Sequence, residues 1–173
     1  MAEVAIGLGS NLGNRRKLLS RAAEFLSGLV RTDIIDASSV WETPAWGVTN
    51  QPRFLNAVII LESALSPEQL LIAIRNIERR MGRRRRHRWG PRRIDIDILW
   101  VGQCTRRTSN LFLPHPHLEK RPFVLMPAYE VRPQKRVRGA TVEAHLGICT
   151  SLSVRRMRRV AGVSLMPKEA RRD

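Results

Sequence analysis

The chain has 173 residues, 43% of them hydrophobic, and carries 31 Lys and Arg against 15 Asp and Glu, a formal charge of +16. That length and apolar content suit one compact domain with its own core, and no apolar run reaches the roughly 18 residues needed to cross a bilayer. Cys104 and Cys149 are far apart and belong to no C-x-x-C pair, which argues against a disulfide framework or a thiolate zinc site. The charge alone leaves nucleic acid, a membrane surface and a small polyphosphate open as partners.

The N-terminus lacks a basic region followed by a long apolar one, so the expected compartment is the cytoplasm. Val4 to Leu8 is short and apolar and predicts a strand that stops in the turn Gly7-Leu8-Gly9-Ser10-Asn11. A helix should follow, capped by Asn14, with Leu18, Ala22, Leu26 and Leu29 at helical spacing and Gly28 at its end. Gly7-x-Gly9 with Gly13 is not a dinucleotide fingerprint, because its third glycine comes one position late. No G-x-x-x-x-G-K-[ST] run occurs either. Phosphates would have to be held by side chains and metal.

Ile34 to Trp41 and Phe54 to Leu61 are rich in β-branched and aromatic residues and predict two strands. Between them, Glu42 to Arg53 contains Pro44, Trp46, Gly47 and Pro52 and must be a loop. Trp46 therefore has no evident place in a core. Ser66-Pro67-Glu68-Gln69 is a strong helix start, a cap with a capping box. Leu70, Ile74, Ile77 and Met81 then form a buried stripe, and Gly82 follows the helix. Glu78, in the last turn, reads as a surface acid or an anchor for an arginine.

Residues 83–93 hold seven arginines around Trp89-Gly90-Pro91 and have no apolar period. Such a run is commonly solvated or bound to nucleic acid. An aromatic followed by a turn also fits a lid that closes over a nucleotide. Ile94-Asp95-Ile96-Asp97-Ile98 alternates perfectly, which predicts a strand with isoleucines on one face and both aspartates on the other. Taken alone, Asp95-x-Asp97 is more often a solvated acidic face than a site. Carboxylates at i and i+2, about 6.5 Å apart along a strand, also suit Mg²⁺, and the arginines just before them favour a metal-bound polyphosphate.

Leu113 to His117 reads as a loop fixed by Pro114 and Pro116. His115 and His117 lack the partners of a zinc site; His115 could donate to phosphate or be structural. Phe123 to Val131 and Thr141 to Ile148 predict short helices. The domain is expected to span residues 1–150, with 151–173 as a basic tail, peripheral or disordered. Strands and helices in this order predict an α+β domain with a largely antiparallel sheet and helices on its face.

Gly9-Ser10-Asn11, Phe54-Leu55-Asn56-Ala57, Arg88-Trp89-Gly90-Pro91-Arg92-Arg93-Ile94-Asp95-Ile96-Asp97 and Pro114-His115-Pro116 occur in order. Together they resemble the 6-hydroxymethyl-7,8-dihydropterin pyrophosphokinase family of the folate pathway. The resemblance covers roughly Val4 to Val131. It implies a ferredoxin-like α+β fold, a monomer, and attack by the pterin hydroxymethyl oxygen on the β-phosphorus of ATP with AMP leaving. It also implies two Mg²⁺ ions held by Asp95 and Asp97, with Arg83 and Arg92 stabilising phosphate. Glu78, Arg85, Arg88, Ile98, His115 and Arg121 fall on the nucleotide side. Thr43, Pro44, Trp46, Phe54, Asn56, Trp89 and Phe123 match the pterin pocket, where a flat ring fits between Phe54 and Phe123. Arg75, Phe112 and Pro116 depart from the family pattern.

The competing reading is a nucleic-acid-binding module, which needs the +16 charge but neither the aspartates nor Asn56 and Phe123. For the enzyme, nucleic-acid association would be weak and non-specific.

Overall fold

The computed structural model describes residues 1–47, 50–83, 90–149 and 154–167. A six-stranded sheet forms the frame. Its central strands are β1 (Ala2–Ser10) and β4 (Phe54–Ser63), paired antiparallel along their length from Ala2 opposite Ser63 to Ser10 opposite Leu55. β5 (Asp95–Val101) lies on the far side of β1. The free edge of β4 is shared by two strands, β2 (Thr32–Ala37) and β3 (Val40–Thr43).

The expected single strand from Ile34 to Trp41 is thus two. Ser38 interrupts it: its hydroxyl accepts the Val58 N–H at 2.9 Å while its own N–H donates to the Val58 carbonyl at 2.9 Å. A side chain there stands in for a rung of the ladder, and the chain steps along β4 before pairing again.

One face of the sheet is covered by α1 (Arg15–Ser27) and α2 (Pro67–Arg80). Leu19, Leu26, Leu70 and Ile74 pack there on Ile6, Ile59, Ile96 and Ile98. Asn14 caps α1 and Ser66 caps α2 with a complete capping box, as the sequence predicts. Gly82 has φ 78°, the left-handed turn that ends α2. α3 (Pro122–Val131) and α4 (Val142–Ile148) cover the opposite face, where Leu125, Ala128 and Val142 meet Val58, Ile60 and Trp100.

A bulge in β5 matters for this second face. Ile6 pairs with Ile98 but Ala5 pairs with Trp100, so Leu99 is the extra residue. Leu99 and Trp100 both join the core under α3, whereas Ile96 and Ile98 stay with α1 and α2.

Two short ribbons, β6 (Arg106–Arg107) with β7 (Phe112–Leu113) and β8 (Arg136–Val137) with β9 (Ala140–Thr141), stand outside the sheet. β10 (Arg158–Val160) pairs antiparallel with β3 and forms an edge of the sheet, and Leu165 is buried in the first core. Residues 154–167 lie at the periphery of the sheet with regular structure of their own: local composition is arginine-rich, but Met157, Val160 and Leu165 supply apolar contacts.

Candidate active site

Alternation in β5 sends Ile96 into the core and leaves Asp95 and Asp97 on the face that α3 covers only in part. Where α3 begins, at Pro122 and Phe123, a cleft of about 510 Å³ opens over that face, within the range of small-ligand sites. Gly7 and Gly9 floor it. A Cβ on Gly7 would come 3.2 Å from Leu99, and one on Gly9 3.1 Å from the Asn56 amide oxygen and 3.8 Å from Asp95. Period-two glycines in a strand signal a close approach of this kind.

At one end the cleft is charged. Arg92 Nη1 lies 2.6 Å from Asp95 Oδ2 and Arg83 Nη2 lies 2.9 Å from Oδ1, so each oxygen of Asp95 faces a guanidinium. Arg83 also contacts Glu78. Glu78 itself is buried, and its Oε1 accepts the Ile96 N–H at 2.9 Å. Burial pushes its pKa up, against the pull of Arg83 and that N–H. It is an anchor for an arginine and for β5, not a cleft wall.

Asp97 has protein around it except where 39% of its side chain meets the cleft. Burial and the neighbouring Asp95 charge push its pKa up to about 7, against Arg121. Arg121 Nη1 is 4.0 Å from its Oδ2, and His115 Nε2 is 3.7 Å away. His115 Nδ1 lies 2.7 Å from the Pro116 carbonyl. That oxygen can only accept, so Nδ1 carries the proton. Burial and Arg121 lower the pKa of His115 to about 4, so at neutral pH Nε2 presents a lone pair to the cleft. Donation to phosphate from Nε2 would require a second proton, which an incoming anion favours.

The other end is apolar with two polar handles. Thr43, Pro44, Trp46, Phe54, Asn56 and Phe123 line it. Asn56 and Thr43 are buried, and Asn56 Nδ2 donates to Thr43 Oγ1 at 2.7 Å. Trp46 and Phe123 approach to 6.2 Å between ring centroids, and the Arg121 guanidinium lies 5.3 Å from the Trp46 ring centre. Among the described residues Trp46 is thus paired with Phe123, and Phe54 also lines the cleft.

Of the residues singled out in the sequence, Thr43, Pro44, Trp46, Phe54, Asn56, Arg83, Arg92, Asp95, Asp97, His115, Arg121 and Phe123 are brought together on one cleft. Ile98 is not: its side chain is 5% exposed and lies in the core under α1 and α2. Arg85, Arg88 and Trp89 lie outside the described residues. Asn11 is an addition. Its Oδ1 accepts the Arg92 N–H at 2.8 Å and its Nδ2 donates to Gln51 and the Pro52 carbonyl, tying both flanking loops to the end of β1. Its sequence signal was its place in Gly9-Ser10-Asn11, one of the motifs that carry the family resemblance.

Among the described residues no group of three or more His, Cys, Asp or Glu could hold a metal. The donor set is two carboxylates, Asp95 and Asp97. That is a fit for Mg²⁺, which takes one or two protein carboxylates and completes its shell with water and phosphate oxygens. Burial first and then the neighbouring Asp95 charge hold the pKa of Asp97 up, an environment that favours a dication over a bare pair of carboxylates.

The fold is ferredoxin-like α+β. It superposes with a TM-score of 0.71 on the crystal structure of Plasmodium falciparum HPPK-DHPS S436F/A437G/A613T triple mutant with STZ-DHP, covering 91% of this chain and 46% of that one at 13% identity. Sequence is more specific than shape. Residues 5–133 match the family 7,8-dihydro-6-hydroxymethylpterin-pyrophosphokinase (HPPK), and the chain belongs to it. A 2-amino-4-hydroxy-6-hydroxymethyldihydropteridine pyrophosphokinase of Aquifex aeolicus is 44% identical over 133 residues, 77% of this chain and 82% of that protein. A protein of the same name from Methylorubrum extorquens is 38% identical over 146 residues, 84% of this chain and 92% of its own. No helix among the described residues is long and apolar enough to cross a membrane.

Proposed function

We propose that this protein transfers the diphosphate of ATP to the hydroxymethyl oxygen of 6-hydroxymethyl-7,8-dihydropterin, releasing AMP. The observation that carries the reading is the continuity of the cleft: the Asp95, Asp97, Arg83 and Arg92 end adjoins the Phe54, Asn56 and Phe123 end across a glycine floor. A polyphosphate at the first end and a flat, hydrogen-bonding ring at the second would meet over Gly9.

Asp95 and Asp97 would hold Mg²⁺, two ions by the family resemblance, which when bound would neutralise phosphate charge. The side chains supply the rest. Asn56 and Thr43 offer an amide and a hydroxyl to the edge of the ring, and Phe123 and Trp46 exclude water from its face. Arg83 and Arg92 turn from Asp95 to the phosphates, stabilising charge as the new oxygen–phosphorus bond forms and the bridging oxygen leaves with AMP. Arg121 balances Asp97. Positioning and charge suffice for such a transfer, so no protein nucleophile enters. The reading takes the protein as a cytoplasmic monomer.

The test is product identity. With Mg-ATP and the pterin, chromatography should give AMP and the pterin diphosphate in equal amounts; ADP, or AMP without pterin diphosphate, would overturn the reading. A Gly9→Ala variant should raise KM for the pterin about tenfold, because the added methyl meets Asn56 in a packed floor. KM for Mg-ATP should stay within about twofold in the same initial-rate measurements.

A further inference from the structure

The segment after residue 133 lies beyond the family match, and none of its described residues lines the cleft. Yet β10 pairs with β3 over its three residues, Arg158 opposite Glu42, Arg159 opposite Trp41 and Val160 opposite Val40. β3 is only four residues long and leads straight into Pro44, Ala45 and Trp46. Without β10 it would be held from one side alone, by β4.

The returning end of the same loop is fastened to the same segment. Arg53 directly precedes Phe54, and its Nη2 donates to the Arg156 carbonyl at 2.5 Å and to the Glu42 carbonyl at 3.4 Å. Its Nε lies 3.4 Å from the Glu42 carboxylate, and Arg15 reaches both the Arg53 carbonyl, at 2.8 Å, and Glu42, at 3.0 Å. One guanidinium therefore joins the strand entering the loop, the strand leaving it and the C-terminal segment. Burial of Met157 and Leu165 holds that segment to the body of the domain.

We propose that Arg53 and β10 form a positioning clamp on the stem of the Trp46 loop, through which the C-terminal segment sets affinity for the heterocyclic substrate without touching it. Arg53 is a positioning residue: it acts through Thr43, Pro44 and Trp46 at one end of the loop and Phe54 at the other. The proposal rests on the pterin reading for the identity of that substrate.

The experiment compares the full chain with Arg53→Ala, Arg53→Lys and Arg158→Pro variants, the last unzipping β10 at an exposed edge position. Hydrogen exchange over Thr43–Gly47, melting temperature, and KM for pterin and for Mg-ATP are read for each. A hydrogen bond from a charged donor is worth enough that Arg53→Ala and Arg158→Pro should raise KM for pterin roughly tenfold and quicken exchange over Thr43–Gly47 by a similar factor. KM for Mg-ATP should stay within about twofold, and Arg53→Lys should recover part of the loss. Unchanged exchange and unchanged pterin KM in both disrupting variants would overturn the proposal. So would a parallel rise in both KM values with a falling melting temperature, which marks general destabilisation. If the unaltered protein failed to turn over pterin, the functional reading would fall, while the exchange measurement would still decide whether the clamp exists.

Discussion

Replacing Asp97 with asparagine is expected to lower turnover by about 10³-fold or more while raising the melting temperature of the ligand-free protein at pH 8. The two effects have one cause. Asp97 sits beside Asp95 in a cleft that strips much of its water, a place suited to a dication and costly for a bare carboxylate. Asparagine keeps the shape and removes the charge. The side chain's remaining contact with solvent moderates the gain, so the sign of the change in melting temperature is the decisive reading. A variant that melted lower and still made AMP would contradict both the acid's strain and its role.

The pH dependence follows with its sign fixed. In the unfolded chain Asp97 loses its proton near 3.8, in the ligand-free fold near 7. Across that window the folded state holds the extra proton, so the contribution of Asp97 to stability declines as pH rises and has gone above about 7. The asparagine variant should lack that decline. Mg²⁺ at pH 8 should raise the melting temperature of the unaltered protein more than that of the variant, since an ion bound only to the folded state stabilises it by mass action. Differential scanning fluorimetry between pH 5 and 8, with and without Mg²⁺, measures all four curves.

What the sequence disclosed was local in origin. Alternation placed Asp95 and Asp97 on one face, because side-chain direction in a strand depends only on neighbours. The Ser66 capping box and the turn at Gly82 are equally local, and both formed as read. Features made by distant pairing were not legible. Ser38 splits a continuous β-branched run because its hydroxyl meets Val58, twenty positions on. Arg53 finds the Arg156 carbonyl across 103 positions, which no composition rule could signal in a stretch that looks like a basic tail. Ile98 shows the converse: the family resemblance implied a place on the nucleotide side, whereas the strand's alternation turns its side chain into the core. The spacing of Gly7-x-Gly9, which does not match a dinucleotide fingerprint, still carries meaning as the open floor between Asn56 and Asp95.

Arg92→Ala should move two measurements in opposite directions. Transition-state charge on the transferred group loses a guanidinium, and comparable losses in phosphoryl transfer lower turnover by about 10³-fold or more. Mg²⁺ binding without nucleotide should instead tighten. In the ligand-free site Arg92 lies 2.6 Å from one oxygen of Asp95 and Arg83 2.9 Å from the other, so an arriving cation must displace or repel a like charge to reach that carboxylate. Removing one guanidinium from a partly exposed pair is worth on the order of 1 kcal/mol, a three- to tenfold gain in Mg²⁺ affinity. Arg92→Lys should recover little turnover, since an ammonium cannot reproduce the bidentate fork, yet should leave Mg²⁺ affinity near that of the unaltered protein because the charge remains. Isothermal titration of Mg²⁺ into each nucleotide-free protein, beside single-turnover rates, separates these outcomes. An alanine variant that bound Mg²⁺ more weakly would mean that Arg92 supports the acidic pair instead of competing for it, and the proposed turn of the arginine from aspartate to phosphate would fail.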